Sequence, residues 1–112
     1  MSNIYQIYLI SDSTGETLDR IFLAIKAQFK NIDYKIHTYS FTRTENQILK
    51  ILSDAEKSLN SIILYSIVDS SLAKYLAVTS DHKKIPCFGV LGELILSFSK
   101  LLNQKASHEP SG

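Results

Sequence analysis

The sequence predicts an α/β domain with an open parallel sheet of about four strands and helices on both faces. Short β-branched and aromatic blocks alternate with blocks whose apolar residues recur at helical spacing. Residues 61–68 are apolar on both faces, which is typical of parallel strands covered by helices on each side. The blocks follow one another without a low-complexity insert, which favours right-handed crossovers. Such a sheet is Rossmann-like or flavodoxin-like.

Four segments carry the strand pattern. Each is short, rich in β-branched or aromatic residues, and bounded by polar residues, glycine or proline. Pro86 is tolerated where the last of them begins, because proline is accepted as the first residue of a strand. The predicted strands are residues 5–10, 34–41, 61–68 and 86–91.

The segments between the strands show the spacing of amphipathic helices. Thr44 and Gln47 have capping-box spacing and predict the start of the second helix. Ser70 or Ser71 is expected to cap the third helix, and Gly92 opens the last. The apolar stripes expected to face the core are Leu18, Ile21, Phe22, Ile25 and Phe29; Ile48, Leu49, Ile51, Leu52 and Leu59; Leu72, Tyr75, Leu76 and Val78; and Leu94, Ile95, Phe98, Leu101 and Leu102.

Length and composition indicate one domain. The chain has 112 residues, of which 45% are apolar, and this suffices for one independent core. We expect residues 1–102 to form a single α/β domain. Residues 103–112 are polar, contain Pro110 and lack periodicity, so they are interpreted as a polar tail or a truncated linker.

Charge and composition exclude several classes of function. With 12 basic and 11 acidic residues the net charge is +1, without the basic face that nucleic-acid binding requires. No apolar run approaches the roughly 20 residues that cross a bilayer. Cys87 is the only cysteine, which rules out an intrachain disulfide and a CxxC site. We therefore expect a cytoplasmic protein that binds neither nucleic acid nor membrane.

The loops that follow the strands are the expected place for a ligand. Ligands of open α/β sheets bind beyond the carboxyl ends of the strands. Three loops fall there, namely residues 11–17, 68–71 and 91–93. The first is the most informative, because Gly15 permits a tight turn and several hydroxyls precede a helix whose free N–H groups attract anions.

Three interpretations of residues 11–17 remain open. Ser13 and Glu16 have capping-box spacing, so the loop could do no more than cap a helix, worth about 1 kcal/mol. Asp12 and Glu16 favour that interpretation, since carboxylates repel phosphate. Anion binding and a catalytic role are the alternatives. No lysine follows Gly15 and no GxGxxG occurs, which excludes a Walker loop and a dinucleotide fingerprint.

The candidate site comprises the first loop and the end of the third strand, where Tyr65 and Ser66 could hold an anion. No catalytic residue and no metal site is predicted, because His37, His82 and His108 fall in unrelated parts of the chain. The candidate anion-, phosphate- or substrate-binding residues are Asp12, Ser13, Thr14, Gly15, Thr17, Tyr65 and Ser66.

Four motifs resemble those of one family. The run LISDSTGET (residues 9–17) is similar to the opening motif of the regulatory proteins of pyruvate, phosphate dikinase and phosphoenolpyruvate synthase. The strand LYSIV (residues 64–68) and the segment IPC (residues 85–87) resemble later parts of that family. HEPSG (residues 108–112) is similar to a run near its domain junction. The resemblance covers nearly the whole chain, in order.

The resemblance implies a bifunctional serine/threonine kinase and phosphorylase. Such proteins use ADP to phosphorylate a threonine of the dikinase, which inactivates it, and inorganic phosphate to remove that group. The implied partner is the dikinase, and ADP and phosphate are implied for the full-length family. The family's Gly-rich phosphate loop has no counterpart in this sequence. We therefore expect no cofactor in this chain, a possible missing C-terminal half, and no activity in isolation.

Two other functions fit the sequence. Residues 14–17 (TGET) match the T-G-x-T phosphate loop of a flavodoxin-like, FMN-binding electron carrier, although the sequence has no Trp to flank a flavin. The chain could also be a non-catalytic docking module that recognises the dikinase.

Overall fold

The computed structural model describes residues 4–110 and contains four strands and four helices in strict alternation. Residues 1–3, and residues 111 and 112 at the end of the HEPSG motif and of the polar tail, lie outside the described part. The elements are β1 (Ile4–Ser11), α1 (Glu16–Lys26), β2 (Asp33–Tyr39), α2 (Glu45–Ala55), β3 (Ser61–Ser66), α3 (Ser70–His82), β4 (Cys87–Gly89) and α4 (Gly92–Leu102).

The strands form one sheet in the order β2-β1-β3-β4, and every neighbouring pair is parallel. Ile7 pairs with Ile36 on one side and with Ile62 on the other, while Leu64 pairs with Phe88. The predicted parallel α/β class is confirmed. The order corresponds to the first four positions of the flavodoxin-like order 2-1-3-4-5.

One face of the sheet carries the larger core. Helices α2 and α3 cover this face. They bury every second side chain of the strands, because successive side chains of a strand point to opposite faces of the sheet. Asp54 of α2 accepts a hydrogen bond from the Tyr8 hydroxyl at 2.8 Å, and the Tyr8 ring stacks on His37. The buried members of this cluster are Tyr8, Ile10, Ile48, Ile51, Leu52, Ala55, Ile63, Ile67, Leu72, Leu76 and Ile85.

The opposite face carries a smaller core. Helix α1 places Leu18 and Phe22 against this face, and the Phe22 ring meets Tyr34 edge-on at 5.4 Å between centroids. The buried strand residues here are Ile7, Leu9 and Leu64. The two faces are therefore covered unequally.

The caps of the helices confirm one prediction and correct two. Gln47 N donates to Thr44 Oγ1 at 3.1 Å, and Thr44 N donates to Gln47 Oε1 at 3.0 Å, so the predicted capping box of α2 is confirmed. Helix α3 is capped by Asp69, whose Oδ1 accepts from Leu72 N at 3.0 Å. The prediction of Ser70 or Ser71 was wrong, because the N-cap residue lies one position earlier.

Helix α1 lacks the predicted Ser13–Glu16 capping box. Its N-cap is Gly15, in the left-handed region at φ 89°, and no side chain among residues 4–110 caps the helix. Ser13 lies two residues before the N-cap and its hydroxyl contacts Ser11 instead. Ser13 and Glu16 have the spacing of a capping box, but Ser13 does not occupy the N-cap position, so this interpretation was wrong.

The predicted apolar stripes are only partly buried. Ile25 and Phe29 near the end of α1, Leu49 and Leu59 around α2, and Val78 of α3 are exposed. In α4 no described residue is buried, and the predicted core stripe of that helix is wrong. Its pattern is amphipathic, but α4 does not lie on the sheet. The exposed members of this stripe are Leu94, Phe98, Leu101 and Leu102.

The strand ends differ slightly from prediction. Strand β2 ends at Tyr39 rather than at residue 41, because Phe41 turns the chain in a left-handed conformation at φ 53°. Beyond α4, Asn103 adopts φ 52° and the chain folds back, so that His108 Nδ1 donates to the Val68 carbonyl at 2.8 Å. Within residues 4–110, no helix has the length and apolar character needed to cross a membrane.

Candidate functional site

The carboxyl ends of the parallel strands bring several loops to one edge of the sheet. Residues 11–17, here the β1 loop, follow the first strand, and residues 40–44, here the β2 loop, follow the second. Residues 67–69 follow β3, and residues 90–91 follow β4. The three loops expected at this edge therefore do lie there. The order of the strands reverses between β1 and β3, because β2 lies on one side of β1 and β3 lies on the other. Ligands of such folds bind at this point.

Asp12 joins the ends of β1 and β3. Its side chain is only 4% exposed, and its Oδ2 accepts a hydrogen bond from Val68 N at 2.9 Å. Its own N–H donates to the Ser66 carbonyl at 3.2 Å. A carboxylate held in this way stabilises the crevice between the two strands, since hydrogen bonds to a charged group are stronger than neutral ones.

Ser11 and Ser13 are buried inside the β1 loop. Their hydroxyl oxygens lie 3.2 Å apart, and Ser13 N donates to Ser11 Oγ at 3.1 Å. The Ser13 hydroxyl is therefore engaged within the loop and not with the first turn of α1. The two serines hold the loop in a compact shape.

The exposed part of the β1 loop is its tip. Thr14 and Thr17 are exposed, and Gly15 between them supplies the left-handed turn that leads into α1. The first-turn N–H groups of α1 receive no side-chain cap from the described residues. The positive end of the helix dipole thus meets exposed hydroxyls, and the same first turn also carries the carboxylates of Glu16 and Asp19.

The β2 loop is the part of the site that sequence reasoning missed. Phe41 N donates to the Ser13 carbonyl at 2.9 Å, and Thr42 N donates to the Ser11 carbonyl at 2.8 Å. The Ser40 hydroxyl donates to the Thr14 carbonyl at 2.8 Å. This loop is therefore bonded along the length of the β1 loop. The parallel pairing of β1 with β2 was the signal that could have revealed it.

Arg43 brings a positive charge to the site. Its Nε donates to the Asp12 carbonyl at 2.9 Å, and its guanidinium carbon lies 5.4 Å from the centre of the Phe41 ring. Both contacts orient a side chain that is otherwise exposed. A guanidinium in a fixed position matches the geometry of phosphate and carboxylate oxygens. Arg43 offsets the negative charge that Asp12 brings to this edge.

Tyr65 and Ser66 do not form a pair of hydroxyls, because consecutive residues of a strand point to opposite faces of the sheet. Tyr65 packs against the larger core, and its ring lies so close to Gly89 that a Cβ there would be 2.7 Å from the Tyr65 hydroxyl oxygen. Burial, and secondarily the Cys87 thiolate, raise the pKa of Tyr65. Ser66 is buried on the other side and contributes its carbonyl to Asp12.

The histidines lie apart from one another. His37 contacts the Gln6 side chain at 2.7 Å in the sheet, His108 contacts Val68, and His82 ends α3. Across residues 4–110, no three His, Cys, Asp or Glu side chains come close enough to hold a metal ion.

Several named proteins are similar in sequence to this chain. One from Pelagibacter ubique is 74% identical over all 112 residues, and one from Geotalea uraniireducens is 36% identical over 105 residues. A third, from Alkaliphilus oremlandii, is 36% identical over 104 residues. All three are provisionally named pyruvate, phosphate dikinase regulatory proteins.

The chain spans about two fifths of the length of these relatives. The matches cover 100%, 94% and 93% of this chain but only 41%, 39% and 37% of the relatives. A sequence model of one family, described as kinase/pyrophosphorylase, matches residues 7–112. That match includes the β1 loop, the β2 loop and all of α4. The chain therefore belongs to the kinase/pyrophosphorylase family.

Proposed function

We propose that this chain supplies the target- or phosphate-binding part of a bifunctional serine/threonine kinase and phosphorylase that regulates pyruvate, phosphate dikinase. The full activity would be ADP-dependent phosphorylation of a dikinase threonine and its phosphate-dependent reversal. Membership of the kinase/pyrophosphorylase family and the names of the relatives support this proposal. A cytoplasmic location, with the dikinase as the partner, is part of it.

The observation that carries the proposal is the joining of the β1 and β2 loops at the β1–β3 crevice. Arg43 is anchored on the Asp12 carbonyl, and the Asp12 carboxylate is bonded to Val68 N. One acidic group of the β1 loop is therefore engaged internally, while a cation is held beside it. The uncapped start of α1 adds N–H groups to the same edge. Together these groups favour a phosphorylated ligand.

The chemistry limits what this chain contributes. Phosphoryl transfer depends on positioning and on positive charge around the transferred group, which comes from backbone N–H groups, a lysine and a metal. The sequence contains no Gly-rich loop with the Lys-Ser/Thr pair. We therefore assign binding and orientation to Thr14, Thr17 and Arg43, and no catalytic role to any residue. ADP would be held outside these residues.

The test uses a chimera in which this chain replaces the matching segment of the Pelagibacter ubique relative. We expect the chimera to transfer phosphate from ADP to a dikinase threonine, and this chain alone to show no transfer. Arg43→Gln should lower the activity of the chimera at least about tenfold, the loss of one charge-assisted contact. Lys57→Gln, beyond the end of α2 at the opposite edge of the sheet, is the matched control.

Two results would contradict the proposal. One is a folded chimera without threonine transfer, and the other is an equal effect of Arg43→Gln and Lys57→Gln. Binding of the chain to dikinase, with no transfer by the chimera, would favour the docking module instead.

A flavodoxin-like electron carrier is the second candidate, and the strand order β2-β1-β3-β4, which matches the flavodoxin-like order, supports it. Protein purified with bound FMN would be yellow, with an absorbance band near about 450 nm from the cofactor itself. Colourless protein that does not take up added FMN would eliminate this candidate.

A further inference from the structure

The smaller-core face of the sheet is left partly open. Helix α1 packs on β1 and β3 here, but no helix within residues 4–110 packs comparably on β4 from this side. An apolar groove of about 420 Å³ runs between α1 and these strands. We name this surface the open face and define it by six of its residues: Ile25, Phe29, Ile62, Leu64, Phe88 and Val90.

The two sides of the sheet differ in burial at its β4 edge, whereas Leu64 of β3 is only 8% exposed even on the open face. On the α3 side, Ile63 of β3 is fully buried and Ile85 before β4 is 7% exposed. On the open face, Phe88 of β4 is 57% exposed and Phe29, which follows α1, is 58% exposed. Parallel sheets are covered by helices on both faces, because both faces of each strand are apolar. One covering layer is therefore absent over β4 in the described structure.

Helix α4 does not supply that layer. It begins just beyond Val90, yet none of its described residues is buried, and most of its large apolar side chains are exposed. A contiguous exposed apolar surface of this kind marks a site of protein–protein contact. The groove is lined by aliphatic and aromatic side chains, so its occupant must present an apolar surface.

The relatives indicate what that occupant is. The Pelagibacter ubique relative contains the whole of this unit at 74% identity, and the match covers 41% of its length, which leaves 59% outside. We propose that the open face binds an amphipathic helix from the segment that makes up the unmatched part of these relatives, and that this helix completes the second layer over β4. This inference rests on burial and family membership, and it does not depend on the proposed function.

The test compares Phe88→Glu in two settings, this chain alone and the chimera with the unmatched segment of the Pelagibacter ubique relative. In this chain alone, residue 88 is solvated, so the melting temperature should change by less than about 2 °C. In the chimera the new carboxylate would be buried without a partner, and the melting temperature should fall by more than about 5 °C. Phe88→Ala, which adds no charge, should produce a smaller loss in the chimera only.

Leu59→Glu is the matched control, because Leu59 is fully exposed and lies outside the open face. It should leave both proteins unchanged. If Phe88→Glu alters both settings equally, the proposal is wrong. It is also wrong if this chain alone forms a dimer in sedimentation experiments that Phe88→Glu dissociates, since the occupant would then be a second copy. Should the Phe88→Glu chimera not fold, Phe88→Ala and the separately expressed segment in a binding assay give the same comparison.

Discussion

The carboxylate of Asp12 accepts a hydrogen bond from the backbone N–H of Val68 at 2.9 Å and thereby ties the end of β1 to the end of β3. The two residues are 56 positions apart in the chain, and the Asp12 side chain is buried. The same Asp12 holds Arg43 through its carbonyl oxygen. One residue therefore connects three of the strand ends that form the candidate site.

Two replacements of Asp12 should distinguish the contribution of its charge to stability from the contribution of its hydrogen bond. We expect Asp12→Ala to lower the free energy of unfolding by about 1.5–3 kcal/mol, because it leaves the Val68 N–H without its charged acceptor. Asp12→Asn keeps an acceptor oxygen and should cost about half as much. Urea denaturation measures both values. Asp33→Ala, at an exposed position where β2 begins, is the control, and an equally large loss there would refute the assignment.

Gly15 should be sensitive to substitution although space is available around it. A Cβ at Gly15 would have its nearest neighbour at 3.7 Å, so the cost comes from the φ of 89° and not from a clash. We expect Gly15→Ala to lower the free energy of unfolding by about 1–2 kcal/mol. At Gly92 a Cβ would meet no described atom within 4 Å, so Gly92→Ala should be neutral or stabilising. Equal effects at both glycines would contradict this explanation.

The cap of α3 distinguishes Asp69 from its serine neighbours. We expect Asp69→Ala to lower the free energy of unfolding by about 1 kcal/mol, since Leu72 N loses its acceptor at 3.0 Å. Ser70→Ala lies one residue inside the helix and should change the value by less than about 0.5 kcal/mol. Chemical denaturation monitored by circular dichroism measures both. A larger effect at Ser70 would restore the serine cap that the sequence predicted.

Alkaline pH should destabilise the fold. Burial raises the pKa of Cys87 above its ordinary value of 9.0, with partial offset by the Ser80 hydroxyl. Burial, together with the hydrogen bond to Asp54 and the charge of that carboxylate, raises the pKa of Tyr8 above 10.0. The unfolded chain therefore loses these protons first, and stability is complete below about pH 9 and falls as pH rises further.

The measurement for this pH dependence is a series of urea denaturations between about pH 8 and pH 11. Tyr8→Phe removes one of these ionisations and should flatten the decline. A free energy of unfolding that stays constant or rises across this range would show that the thiol and the phenol are not held in their neutral forms.

Local patterns predicted the elements of the fold well. The period of apolar residues identified all four strands and all four helices, and the Thr44–Gln47 spacing identified a cap that the structure confirms. These signals are local because a helix or strand shows its buried side through residues a few positions apart. The location of the loops at one edge of the sheet was predicted from the right-handed crossovers between parallel strands.

Contacts between distant segments were not predictable in this way. Arg43 reaches Asp12 across 31 positions, and only the pairing of β1 with β2 brings the two loops together. The apolar residues of α4 recur with a helical period, but this period does not show whether the helix packs against another part of the protein. Tyr65 and Ser66 are adjacent in sequence, and yet their side chains point to opposite faces of the sheet.

The sequence by itself determined the order and type of the elements and the glycine turn of the β1 loop, because these depend on near neighbours in the chain. The parallel sheet followed from the alternation of strands and helices. The tertiary structure decided which carboxylate is buried, which cation accompanies it and which apolar face remains open. Those properties depend on the pairing of strands and the packing of layers, where residues from separate parts of the chain exclude water from one another.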